Sequence, residues 1–280
     1  RVLSRMTTMP IARVNRVGLH YEVFGAGRDI LLCHGYSGSH QDWAAPIAAL
    51  MTDYRVVVMD HRGHGQSQAP ASPKAYSVKT FAQDVRALME LLRVGRCCLG
   101  GHSLGGFIAL ELALAHPELV AALVLVDTSS GGMDMPPEHT AARLKALELA
   151  RSDGMEAAFE HVATHSPVTR EQFRRNPRLR EIQKQRTLET SVDGFVHAWG
   201  AVRQWAPVTE RLRELKVPTL IVVGEHDTAF LRPAQVLRDG IPGSQMVTIP
   251  GASHTPHVEQ PEAFTRVLRE FLSQRYPPHQ

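Results

Sequence analysis

A serine hydroxyl is a poor nucleophile until an imidazole takes its proton, and the imidazole in turn needs a carboxylate to orient it. Gly101-His102-Ser103-Leu104-Gly105 fits the pattern G-x-S-x-G. So short a pattern also arises by chance, and its surroundings decide. It follows the apolar run Cys97–Gly100 and opens the apolar helical stretch Leu104–His116, which ends before Pro117. This is the strand–turn–helix setting in which a nucleophile stands exposed on a sharp, strained turn. Strand and helix pass close there, so the flanking residues must be small, as Gly101, Gly105 and Gly106 are. The Leu104 amide, at the helix start, points toward the place where an oxyanion develops.

The acid and then the base follow such a serine along the chain. Asp227 ends Gly224-Glu225-His226-Asp227, after the apolar run Thr219–Val223. His254 ends Gly251-Ala252-Ser253-His254, after Gln245–Ile249. Both positions lie just beyond the C-terminal ends of strands, where open α/β sheets carry their sites. Glu225 and Asp127 are the rival acids, and His257 is the rival base. Most of the 15 histidines must do other work. His34 reads as a brace for the loop after its strand, and His102 as a support of the serine turn. His61 and His64 belong to the turn Asp60–Ser67, which Asp60 is expected to fix through side-chain-to-backbone bonds. No H-E-x-x-H or comparable ligand spacing is present, and no metal is expected. Gly25-Ala26-Gly27 and Gly35-x-x-Gly38 are not G-x-G-x-x-G, and no P-loop lysine follows, so neither NAD nor ATP nor any other cofactor is expected.

Apolar runs alternating with helical patterns require an α/β sheet. The expected strands are Val17–Phe24, Asp29–His34, Arg55–Asp60, Cys97–Gly100, Ala121–Val126, Thr219–Val223 and Gln245–Ile249. Several are unbroken apolar runs, as expected of strands covered on both faces. Val78–Leu92 carries an apolar stripe at helical spacing, and Pro261–Phe271 reads as a last helix with proline at its start. The alternation stops over about 131–214. That stretch is helical and charged, with patterns over Ala141–Ala150, Gly154–Thr164, Arg170–Lys184 and Gly194–Trp205. It reads as a helical insertion between two strands of one sheet.

Composition bounds the rest. At 280 residues, 43% of them hydrophobic and 21% charged, the chain can bury a sizeable core without staples. The net charge of +3 is small. Its basic cluster, Arg170, Arg174, Arg175, Arg178, Arg180, Lys184 and Arg186, has no nucleic-acid motif and reads as a solvated helix face, with an anionic partner or substrate as the other reading. No nucleic-acid partner is expected. Cys33, Cys97 and Cys98 form no disulfide framework or zinc pattern and fit a reducing, cytoplasmic setting. No apolar run is long enough to span a bilayer, and the first nine residues lack the apolar core of a secretory signal.

Several motifs together resemble the α/β-hydrolase superfamily, capped serine esterases and lactonases among them. They are Leu32-Cys-His-Gly-Tyr36, Asp60-His-Arg-Gly-His-Gly-Gln-Ser67, Gly101-His-Ser-Leu-Gly-Gly106, Gly224-Glu-His-Asp227 and Gly251-Ala-Ser-His254, and the likeness runs over about 17–130 and 215–273. It implies a mostly parallel eight-stranded sheet flanked by helices, with 1–130 and 215–280 forming the core and 131–214 a helical cap. It implies Ser103 as nucleophile, Asp227 as acid, His254 as base, and the Tyr36 and Leu104 amides as the oxyanion hole. The implied activity is hydrolysis of a small carboxylic ester. A lactonase, a carbon–carbon bond hydrolase of dienoates, a perhydrolase, an acyltransferase and a non-catalytic small-molecule receptor are the alternatives. The pocket candidates are His34, Trp43, Phe107, Phe159, Phe195, Trp199, Trp205 and His257. Monomer and homodimer are not distinguished.

Overall fold

The computed structural model describes residues 10–278 apart from Gly132 and Asp134. Its centre is an eight-stranded sheet: β1 (Ile11–Val14), β2 (Val17–Phe24), β3 (Arg28–Cys33), β4 (Tyr54–Met59), β5 (Cys97–His102), β6 (Val120–Val126), β7 (Thr219–Gly224) and β8 (Gln245–Ile249). The strand order is β1-β2-β4-β3-β5-β6-β7-β8. β2 is antiparallel to both β1 and β4, and every later pairing is parallel. The seven expected strands are present within two residues at either end. β1 was not expected. It is four residues long, and exposed Ile11 and Arg13 leave it no buried apolar run.

The helices are α1 (Ala44–Leu50), α2 (Val78–Leu91), α3 (Leu104–Ala115), α4 (Pro137–Ser152), α5 (Met155–His165), α6 (Pro167–Arg175), α7 (Pro177–Leu188), α8 (Val192–Gln204), α9 (Thr228–Gly240), α10 (Pro256–Glu259) and α11 (Pro261–Arg275). The unbroken runs of β3 and β4 follow from cover on both faces. Leu31, Cys33, Val57 and Met59 pack with α2, α3 and α9, whereas Ile30, Leu32, Val56 and Val58 pack with α1 and α11. Because side chains alternate across a strand, each apolar layer needs every second residue, and two layers need them all.

Helices α4–α8 lie between β6 and β7 in the chain. The stretch Arg170–Lys184 is not one helix. Pro177 removes an amide donor and disfavours helical backbone at Asn176, so α6 stops at Arg175 and α7 starts at Pro177. No helix among the described residues is long and apolar enough to cross a membrane.

Candidate active site

Ser103 occupies the turn between β5 and α3 with φ 50° and ψ −113°, a conformation few non-glycine residues adopt. The surrounding bonds hold it there. The Ser103 amide donates to the Val126 carbonyl at 2.9 Å, and the Thr128 hydroxyl donates to the Ser103 carbonyl at 2.8 Å. The flanking glycines are obligatory. A Cβ at Gly101 would lie 2.0 Å from the Gly105 carbonyl oxygen, and one at Gly105 would lie 2.2 Å from that of Cys33.

The loops after β7 and β8 bring the other two residues to this turn. His254 Nδ1 donates to Asp227 Oδ2 at 2.7 Å, which leaves Nε2 to accept the Ser103 hydroxyl at 3.1 Å. Asp227 is buried at the N-terminus of α9, while the His254 ring keeps an opening to the cleft. His102 supports His254, its Nε2–H donating to the His254 carbonyl at 2.6 Å. Burial, with His257 and His254 alongside, holds His102 well below the usual imidazole range, so it stays neutral. The amides of Tyr36 and Leu104 lie at the same cleft, and among the described residues neither donates to a protein acceptor. Such an arrangement can move a proton from Ser103 to His254 and hold an oxyanion formed at the serine.

The chain from residue 30 to 261 matches the family model described as the alpha/beta hydrolase fold. It belongs to that family. A Bacillus subtilis relative named as a 2-succinyl-6-hydroxy-2,4-cyclohexadiene-1-carboxylate synthase is 29% identical, with 91% of this chain and 96% of the relative covered. The solved structure of a thermophilic esterase from Thermogutta terrifontis, with malate bound, superposes with a TM-score of 0.82 at 31% identity, covering 93% of this chain and 94% of that one. The enol-lactonase of Burkholderia xenovorans LB400 gives a TM-score of 0.82 at 29% identity, covering 94% and 100%. The chain is thus a hydrolase of the alpha/beta fold with esterase and lactonase neighbours.

The rival residues have different surroundings. Asp127 follows β6, and its Oδ1 accepts the Gly224 amide at 2.9 Å, while its Oδ2 is sealed and unpartnered. Burial and then the Asp227 charge raise its pKa well above that of an ordinary aspartate. Its surroundings thus favour the neutral acid beside the Asp227–His254 pair. Glu225 is half exposed and accepts the Gly251 amide at 2.8 Å. His257 is buried, stacks on Trp43 at 4.4 Å, and is pushed down to about 3 by burial.

Of the pocket candidates, Phe107, Phe159, Phe195 and Trp199 line the cleft. Four do not. Trp43 and His257 stack on each other in the core beside Phe264. Trp205 stacks on Phe107 at 4.7 Å and donates to Glu111. His34 braces the loop instead, its Nδ1–H donating to the Gly35 carbonyl at 2.7 Å while Nε2 accepts the His61 amide. Asp60 fixes the turns on either side. Its oxygens accept the His40 and Gln66 amides as well as the His20 and His40 rings.

The basic cluster is mostly a paired surface. Arg174 and Arg175 meet Glu171, Arg180 meets Glu160, and Lys184 meets Glu156 on α5. Within it only Arg186 reaches the cleft, where Asp42 holds it at 3.0 Å. Sequence reasoning missed Met133, Met135, His139, Arg143 and Gln172 of the lining. Nothing in the spacing of α4 marks which of its faces looks inward.

Proposed function

We propose that this hydrolase cleaves small carboxylic esters through an acyl-enzyme on Ser103. The observation that carries this reading is the unbroken line Asp227–His254–Ser103, at 2.7 and 3.1 Å, opening into a mostly apolar cleft beside two free amides. In this mechanism His254 Nε2 takes the hydroxyl proton as Ser103 attacks the carbonyl carbon. The Tyr36 and Leu104 amides hold the oxyanion. His254 then returns the proton to the leaving alcohol, and a water, deprotonated by the same nitrogen, releases the acid. Asp227 keeps the imidazole in the productive tautomer and stabilises its cation. Helices α4–α8 supply Arg143, Phe159 and Trp199 to the cleft and act as a lid that limits water at the ester. The free, buried cysteines accord with a cytoplasmic setting.

The likeness to an enol-lactonase favours a second reading, in which the ester is internal to a ring. The experiment is a panel of p-nitrophenyl esters of graded chain length together with lactones, run on wild type and Ser103→Ala. The expected result is turnover of short esters by wild type and a loss of about 10⁴-fold or more in the variant, which keeps its fold. Turnover confined to lactones would select the second reading. Near wild-type turnover by Ser103→Ala would overturn both.

A further inference from the structure

One of the charges lining the cleft has no partner among the described residues. Besides Asp227 they are Asp42, Arg143 and Arg186. Asp42 and Arg186 neutralise each other at 3.0 Å, and Asp227 is committed to His254 at 2.7 Å. Arg143, on the second turn of α4, forms no ion pair and no hydrogen bond among the described residues, and its Nε is sealed from solvent without an acceptor. Its guanidinium carbon lies 5.4 Å from the centre of the Tyr36 ring and 5.6 Å from that of Trp199. Both rings line the same cleft, and Tyr36 also presents the amide assigned to the oxyanion. The cation therefore lies in the wall of the cleft that Ser103 also lines.

Holding a guanidinium there is costly. The ring faces return part of the lost hydration, but they accept none of its five N–H bonds. Burial accordingly draws Arg143 below its ordinary value without discharging a group so basic. The neighbouring His139, one turn earlier on α4, adds no second cation. Burial and then the charge of Arg143 push it down to about 3, and its Nδ1 is bonded to Ser166 at 2.7 Å. A single, uncompensated, forked donor in an apolar cleft matches one planar anion. A carboxylate meets that fork with two parallel bonds.

We propose that Arg143 is a carboxylate receptor and that the natural substrate is an ester or lactone bearing a free carboxylate. This rests on the ester-hydrolase reading and narrows its substrate class. The seven-residue basic cluster of α6 and α7 is not the source of this selectivity, because its one member in the cleft is already paired.

The test compares two substrates of equal acyl length, the mono-p-nitrophenyl ester of adipate and p-nitrophenyl hexanoate, on wild type, Arg143→Gln and Arg143→Lys. Wild type is expected to favour the adipate ester. Arg143→Gln should lose about 10- to 100-fold in kcat/KM on that ester and less than about threefold on hexanoate, with Arg143→Lys between. The hexanoate rate reports that the variant folds. Equal losses on the two esters, or none on the adipate ester, would overturn the proposal. A second measurement needs no turnover: adipate should raise the melting temperature of Ser103→Ala but not of Ser103→Ala/Arg143→Gln. If wild type hydrolyses neither ester while adipate still protects only the Arg143-bearing protein, the ester reading fails and the carboxylate site stands. Adipate protecting both proteins or neither would sink the site itself.

Discussion

Replacing Asp127 by asparagine removes a titratable carboxyl from beneath the triad while keeping its shape. Asparagine retains the oxygen that accepts the Gly224 amide. Its NH2 group takes the place of Oδ2, which is sealed and unpartnered on the side of Asp227 and His254, ligand-type atoms of all three residues lying within 4.8 Å of one another. Burial and then the charge of Asp227 raise the Asp127 pKa, with Glu259 adding a smaller push in the same direction. The folded chain thus keeps a proton that the unfolded chain releases near pH 3.9. Between that pH and the raised folded value the native state binds one more proton than the unfolded state. Stability therefore falls as pH rises, by up to about 1.4 kcal/mol per pH unit. Asparagine has no such proton to keep. The unfolding free energy of Asp127→Asn minus that of wild type should therefore grow with pH above about 4, at up to about 1.4 kcal/mol per pH unit, until the folded carboxyl itself ionises. Urea denaturation at three pH values across that window measures it. Turnover of a short ester should stay within about threefold, because the Asp227–His254 bond is untouched. A difference independent of pH would refute the neutral-acid assignment, and a loss of several orders in kcat would make Asp127 the working acid.

The remaining predictions use the same geometry. Asp227→Asn turns an acceptor into a donor at His254 Nδ1, so Nε2 carries the proton and cannot take another; kcat should fall by about 10⁴-fold with the melting temperature little changed. Gly105→Ala drives a methyl to 2.2 Å from the Cys33 carbonyl oxygen, and a denaturation curve should show a loss of at least about 1–3 kcal/mol together with reduced activity. His257→Phe exchanges a buried ring with two unpartnered nitrogens for an apolar one of similar shape against Trp43; stability should be unchanged or up to about 1 kcal/mol higher, with activity kept. Loss of turnover in His257→Phe would return that residue to the list of bases.

Where the sequence was legible, one local rule governed the outcome. The central strands were legible because both of their faces are buried, which forces unbroken apolar runs such as Ile30-Leu31-Leu32-Cys33. The serine turn was legible because its glycines answer to a steric demand at adjacent residues. Where a second signal cut across the first, the reading failed. Helix α1 is seven residues long with Pro46 inside it, and α9 carries Pro233 in its interior, so neither shows an uninterrupted helical stripe. Across α6 and α7 the charged pattern continues through Pro177 and hides the break.

Orientation is a different kind of information, and it explains the misplaced pocket residues. Trp43 and Trp205 are as apolar as Trp199, yet only Trp199 faces the cleft, because packing against distant partners, His257 for Trp43 and Phe107 for Trp205, sets the direction of each ring. The same holds for charge. The dense basic stretch drew attention by composition, but much of its compensation comes from Glu156 and Glu160 of α5, twenty or more residues away, and from Asp42, before α1. Arg143 is one arginine among ordinary helical neighbours and gave no signal. What distinguishes it is the absence of an acceptor among the described residues around it, a property of the assembled cleft. On the proposed reading, selectivity in this chain depends on which cation is left uncompensated, and a count of cations along the chain points to the wrong helix.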